Sequence, residues 1–361
     1  MKVVVVRNVN EALDDLRREL GTSIMVADPL LQEFEWVVRP SRNGRVLEVN
    51  SPVATVYCNP SERVSFGHAR DANPFFHLFE ALWILAGRSD VRFLNLFNKR
   101  MVEYSDDGET FHAPYGKRLR NHWIKQSAVS GGRVKFEVID QIRECARMLR
   151  EDPDTRRAVM MIWDPSYDLG THSKDIPCND TVFFKSREGR LDMTVCCRSN
   201  DAIWGAYGTN VVQFSTIMEL VAGSAGLAVG RYTQISDSLH VYIDNPAWQR
   251  MLSSYDWRAD LYARNEVRCV PMWVPGRDKE AHLEEWFEHC ERFCEDILTE
   301  PFIPIERYHI PFFHEVAIPM WRAWWEYKNR GLTAAVEFLD HQDLEIDWLA
   351  AAMRWLTRRS R

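Results

Sequence analysis

The sequence predicts a mixed α/β fold of the α+β kind, a mixed sheet flanked by helices and continued by a helical C-terminal extension. Three observations predict it: apolar residues at helical spacing in three long stretches, short alternating or apolar runs bounded by turn residues, and no strict alternation of the two. No internal repeat, low-complexity tract or Gly/Ser/Pro-rich linker divides the chain, so a single main domain over 1–270 is expected, with a soft boundary there and helices over 271–361.

In chain order, "MKVVVVRNVNEAL" breaks after four valines and reads as a short strand. "NPFFHLFEALWILAG" (73–87) has the helical period and is closed by Gly87. "FEVIDQIRECARMLREDPDTRR" (136–157) reads as a second helix, stopped before Pro153 by the clash a proline imposes on its predecessor. "AVMMIWD" (158–164), the run "TVFFKS" and "LDMTVCCRS" (191–199) read as strands. "NVVQFSTIMELVAGSAG" (210–226) has few polar residues on any face and predicts a long buried helix. Beyond 270, "EEWFEHCERFCEDIL" and "AAVEFLDHQDLEIDWLAAAMRWLTRR" return to helical periods.

With 361 residues, 46% hydrophobic and 12% aromatic, the chain has ample material for a core and is too apolar to be disordered. A net charge of -7 gives no basic footprint for duplex nucleic acid, although a local pocket for one phosphate remains open. Neither a membrane-spanning run nor a signal-like segment is seen, so a cytoplasmic protein is expected. Eight cysteines form no C-x-x-C pair and are expected to be free thiols. "HCERFC" (289–294) offers nitrogen and sulfur at helical spacing but also has the apolar period of a buried helix, and no metal is expected there.

The chemistry centres on "DIPCND" (175–180), where Cys178 follows a proline in a polar turn and leads into a strand. A lone cysteine is usually packing. Polar neighbours and abundant arginines instead suggest a partly exposed thiol whose pKa those arginines lower. Arg156 and Arg157 sit where a helix gives way to a strand, and Arg198 follows the strand "LDMTVCC". Alone, the pair reads as a solvated turn; with Arg198 it offers forked donors for phosphate. Taken singly, Glu80, Tyr115 and His240 would pass for a surface charge, an amphipathic aromatic and a core histidine, and Trp163 and Trp204 for packing.

Taken together, "DQIRECARMLREDPDTRRAVMMIWDP", "PCND", "CRSNDAIWGAYGTN" and "DSLHVYIDN", with "SRNGR", "FEALWILAG" and "APYGKRLR" upstream, resemble the thymidylate synthase family in order and spacing over roughly residues 40–250. The resemblance implies that Cys178 adds to C6 of a pyrimidine nucleoside monophosphate, so that C5 attacks the methylene unit of 5,10-methylenetetrahydrofolate. It implies that Arg42, Arg198 and Ser199 hold the phosphate with Arg156 and Arg157 of a second subunit, and hence a homodimer. Glu80 would organise proton transfer, Tyr115 would assist removal of the C5 proton, and His240 and Tyr242 would bind the sugar. Asp201, with Trp204 and Gly205 beside it, would face the folate. Asn210 would read the base, pairing with O4 and N3–H of uracil, whereas a carboxylate there would suit cytosine.

The chain departs from the family at several places. Asn179 replaces the usual histidine, Cys197 replaces the glutamine before the phosphate arginine, and "GAYGTN" is one residue longer than the usual segment, which bears on Asn210. "NLFNKRMVEYSDDGE" (95–109) lacks the wall tryptophan and "WLTRRSR" is unlike the family's closing tail. A polar wall would admit water to the exocyclic methylene intermediate. The expectation is therefore a phage-type hydroxymethylase acting on dUMP, or on dCMP, with methylation to dTMP and release of dihydrofolate as the alternative. Two further readings stay open: a cysteine hydrolase or transferase using His172 or His240, and a non-catalytic nucleotide- or RNA-binding relative.

Overall fold

The computed structural model describes residues 1–25, 36–129, 133–253, 259–300 and 302–360. Its strands are β1 (Lys2–Val6), β2 (Trp36–Ser41), β3 (Gly44–Val49), β4 (Val53–Tyr57), β5 (Trp123–Val129), β6 (Arg133–Ile139), β7 (Val159–Met161), β8 (Asn179–Arg187), β9 (Arg190–Cys197), β10 (Asn200–Asp201), β11 (Ala228–Ser236) and β12 (Leu239–Tyr242). A six-stranded mixed sheet runs β1-β4-β11-β9-β8-β7, and a smaller sheet runs β10-β12-β3-β2. The mixed α/β expectation is borne out.

Period-2 alternation gives the larger sheet two unlike faces. Tyr57, Tyr232, Met193, Val195, Val182 and Met160 point inward and are buried. On the other face the register carries Val3 and Val5 through Thr233 and Ile235, Thr194 and Cys196, and Phe183 to Met161. That second face stays open: Val5 is 62% exposed and Phe183 43%.

The helix Asn210–Ala225 lies against the inner face, buried almost throughout, and ends at the left-handed Gly226. Beside it runs the helix Pro74–Leu85, started by Asn73, whose side chain accepts from the Phe75 and Phe76 amides. Both follow the sequence expectation. The helix expected over 136–157 does not: it starts only at Gln141, while residues up to Ile139 form β6 of a hairpin. Asp140 caps the helix through the Arg143 amide, and the alternation of Val134, Phe136 and Val138 holds the preceding segment extended.

After residue 270 come the helices Lys279–Thr299, Ile318–Asn329, Leu332–Asp340 and Asp347–Thr357. Phe75 meets Trp324 and Trp355, and Phe79 meets Phe293 and Trp321, so these helices pack on the back of the Pro74–Leu85 helix. Arg358 and Arg359 close the arrangement on Asp71. His289 packs against Tyr308 and Phe313, and burial pushes the thiols of Cys290 and Cys294 up. Among the described residues no helix is long and apolar enough to cross a membrane.

Candidate active site

Cys178 stands at the mouth of β8, immediately before a bulge at Asn179–Thr181. Its loop is strapped down by Arg198, which donates from Nε to the Pro177 carbonyl at 2.7 Å and from Nη2 to Ile176 at 3.1 Å. The same Nη2 lies 3.8 Å from Cys178 Sγ. Cys178 is half-buried as a residue, neither sealed in the core nor fully open. Contrary to the expectation of a lowered pKa, the thiol is pushed up, because burial and then the nearby Asp175 and Asp180 outweigh Arg198 and Arg42.

Tyr115 heads a short helix whose next residue, Gly116, abuts the Glu80 helix; a Cβ there would sit 2.5 Å from the Ile84 carbonyl oxygen. This close approach brings the Tyr115 hydroxyl to Asn179, whose Nδ2 donates to it at 2.9 Å. Burial, with the neighbouring Cys178, drives the phenol well above its usual range. Glu80 Oε2 accepts from Gln213 Nε2 at 2.7 Å, and burial pushes this carboxyl up to about 7. Gln213 lies one turn beyond Asn210 on the same helix.

The extra residue before Asn210 is taken up in a kinked segment over Ala202–Thr209, where Tyr207 and Gly208 leave helical geometry and a π-type turn lets the Asn210 amide reach back to the Gly205 carbonyl. Asn210 therefore stays at the start of its helix. Its Nδ2 donates to Asn200 Oδ1 at 3.1 Å, and Asn200 Nδ2 to Ser236 Oγ at 3.0 Å. Gly205 is needed for this contact, since a Cβ would lie 2.7 Å from Asn200 Oδ1.

Asp201 caps the π turn through the Trp204 amide, and β10 pairs it in register with His240. Its Oδ2 is buried with no hydrogen-bond partner among the described residues, and burial raises its pKa. Trp204 is 43% exposed, with the Arg70 guanidinium 4.2 Å from its ring centroid. Arg70 was not singled out by sequence. It is buried, Nε donates to the Ile203 carbonyl at 2.6 Å, and Nη1 and Nη2 have no hydrogen-bond partner among the described residues. Nothing in "FGHARDAN" marks it, because its meaning lies in a contact with residues more than a hundred positions away.

His240 Nδ1 lies 3.2 Å from the Ser238 carbonyl, and its ring meets Tyr242 edge-on. Tyr242 lies beside Asn43 and Ser41 at the turn between β2 and β3 and within electrostatic reach of Cys178. Arg42 of the same turn donates to the carbonyls of Ser173 and Lys174. The structure thus brings Arg198 to the Cys178 sulfur and Tyr115, Arg42 and Tyr242 within electrostatic reach of it, with half-buried Ser199 adjoining Arg198. Arg156 and Arg157 are exposed on the turn before β7. Neither His172 nor His240 hydrogen-bonds Cys178 among the described residues, so the Cys/His pair of a hydrolase is not formed.

Compared with known proteins, residues 73–301 match the family model for thymidylate synthase. The chain is 39% identical, over 99% of its own length and 95% of the relative's, to a deoxyuridylate hydroxymethyltransferase of Pseudomonas phage M6. It is 47% identical to the deoxyuridylate hydroxymethyltransferase of Bacillus phage SP01, over 58% of this chain and 54% of that relative. A putative thymidylate synthase of Methanothermobacter marburgensis is 38% identical over 38% of this chain and 54% of its own length.

Proposed function

The chain belongs to the thymidylate synthase family, and on that premise we propose that it hydroxymethylates C5 of dUMP, taking the carbon from 5,10-methylenetetrahydrofolate and the oxygen from water. The observation that carries this reading is half-buried Cys178, its Sγ beside Arg198 and within electrostatic reach of Tyr115. A thiolate adding to C6 makes C5 the nucleophile. Arg198 faces the sulfur, where it favours the charged form that burial opposes.

For the base, Asn210 supports uracil over cytosine. Its Nδ2 is oriented by Asn200, so the other N–H and Oδ1 remain for O4 and N3–H, whereas a cytosine N4 donor would find no carboxylate. For the folate, Asp201 Oδ2 is a buried acceptor awaiting a donor, and Trp204 supplies a half-open apolar wall. His240 and Tyr242 suit the sugar, and Arg42, Arg198 and Ser199 the phosphate.

Water rather than hydride reaches the exocyclic methylene because the wall is polar. The segment at 99–110 is a 3₁₀ turn followed by an Asp107-centred loop, and Asp106 binds the Ser173 hydroxyl and Lys174 amide just upstream of Cys178. A homodimer completes the site in this reading. The open face of the larger sheet, with Val3, Val5, Phe183 and Met161 exposed, suits a second copy, and exposed Arg156 and Arg157 border it at β7. Residues 271–361 brace the Glu80 helix from behind a 1–270 catalytic unit, and the enzyme works in the cytoplasm.

The test is to incubate the protein with dUMP and methylenetetrahydrofolate, weigh the nucleotide, and follow dihydrofolate absorbance. The expected product is 5-hydroxymethyl-dUMP without dihydrofolate. A methyl product with equimolar dihydrofolate would replace this reading by plain methylation, and turnover of dCMP instead of dUMP would overturn the base assignment.

A further inference from the structure

We propose that Asn179, held in one orientation by the Cys197 thiol, is a positioning residue that makes Tyr115 a hydrogen-bond donor toward the reacting C5; this rests on the reaction proposed above. The two positions where the chain departs from its family at the nucleophile and at the phosphate arginine turn out to touch. Cys197 Sγ donates to Asn179 Oδ1 at 2.7 Å, across the first pair of the β8–β9 register.

Asn179 is fully buried, and both of its donor nitrogens converge on one atom. Nδ2 reaches the Tyr115 hydroxyl oxygen at 2.9 Å and the backbone amide reaches it at 3.4 Å. A phenol oxygen offers one proton and room for about two incoming donors. With the acceptor side filled, the Tyr115 proton must point elsewhere, and among the described residues no protein group accepts it. Cys178 lies within electrostatic reach of the hydroxyl, and in this proposal the proton is free to face a pyrimidine bonded to that sulfur through C6.

Cys197 decides which end of the amide faces Tyr115. A thiol donating to Oδ1 leaves Nδ2 for the phenol. Were the amide reversed, Oδ1 would accept the Tyr115 proton and withdraw it from the site. Burial keeps the Cys197 thiol protonated, so it remains a donor across the working pH range.

The test measures tritium release from [5-³H]dUMP in the presence of methylenetetrahydrofolate. Asn179→Asp keeps the shape but replaces the Nδ2 donor by an acceptor; kcat for release is expected to fall on the order of 100-fold with KM for dUMP changed less than about threefold. Cys197→Ser, which can still donate to Oδ1, should stay within about threefold of wild type, whereas Cys197→Val should lose roughly tenfold. Adding Tyr115→Phe to Asn179→Asp should cost little more than either alone, a non-additivity that general loosening of the fold would not produce. Full activity in Asn179→Asp, or losses that simply multiply in the double variant, would overturn the proposal. Wild-type protein that releases no tritium would instead remove the reaction on which it stands.

Discussion

Gln213 Nε2 donates to Glu80 Oε2 across the interface between the two helices that floor the site, and it is the one polar partner of that carboxyl among the described residues. Burial raises Glu80 to about 7, while this bond, made to the charged form, works in the opposite direction. The kcat profile should therefore show a limb near pH 7 that Glu80→Gln removes. Gln213→Leu deletes the donor and should move the limb upward. Steady-state rates between pH 5.5 and 9 check both.

The same shift makes a stability prediction. A carboxyl whose folded pKa lies above its unfolded value favours the fold while protonated, and that contribution is lost as pH rises through about 7. Urea unfolding should show Glu80→Gln gaining on the wild type between pH 4.5 and 8. A constant difference over that range would mean the carboxyl is not desolvated in solution.

Cys178 is raised by burial and opposed first by Arg198. Removing the guanidinium with Arg198→Gln should raise the thiol further, so alkylation at pH 8 slows. Peptide mapping by mass spectrometry separates this thiol from exposed Cys58. Cys178→Ala should fold normally, still bind dUMP, and lose on the order of 1,000-fold or more of C5 tritium release.

If Arg156 and Arg157 serve the neighbouring subunit, Cys178→Ala and the double variant Arg156→Ala, Arg157→Ala should each be inactive alone and recover together. Random mixing yields about half heterodimers, each with one whole site, so about a quarter of wild-type activity should return. No recovery on mixing co-refolded chains would place the arginines in their own subunit's site.

Phe75 joins the Glu80 helix to Trp324 and Trp355 of the C-terminal helices. Phe75→Ala should cost about 3–5 kcal/mol in urea unfolding, with fluorescence and circular dichroism moving in one transition. Separate transitions would mean that the extension folds apart from the catalytic part.

The sequence by itself determined the elements with clean periods and the residues with reactive side chains. Asn73 to Gly87 and Asn210 to Gly226 carry their own start, stripe and stop, and Cys178, Glu80 and Tyr115, each ordinary alone, stand out through the joint pattern of motifs around them. What only the tertiary structure decided were contacts between distant positions. The hairpin before Asp140 escaped because a short apolar run fits either period and its alternation is read only against its partner strand. The Cys197–Asn179–Tyr115 chain and buried Arg70 over Trp204 each join residues that sequence order keeps apart, while the π-type turn that returns Asn210 to its place is a local kink with no propensity signal of its own. The sign of the Cys178 shift was likewise out of reach: arginines nearby in sequence argue for a lower pKa, but desolvation is set by everything packed around the sulfur, and here it wins.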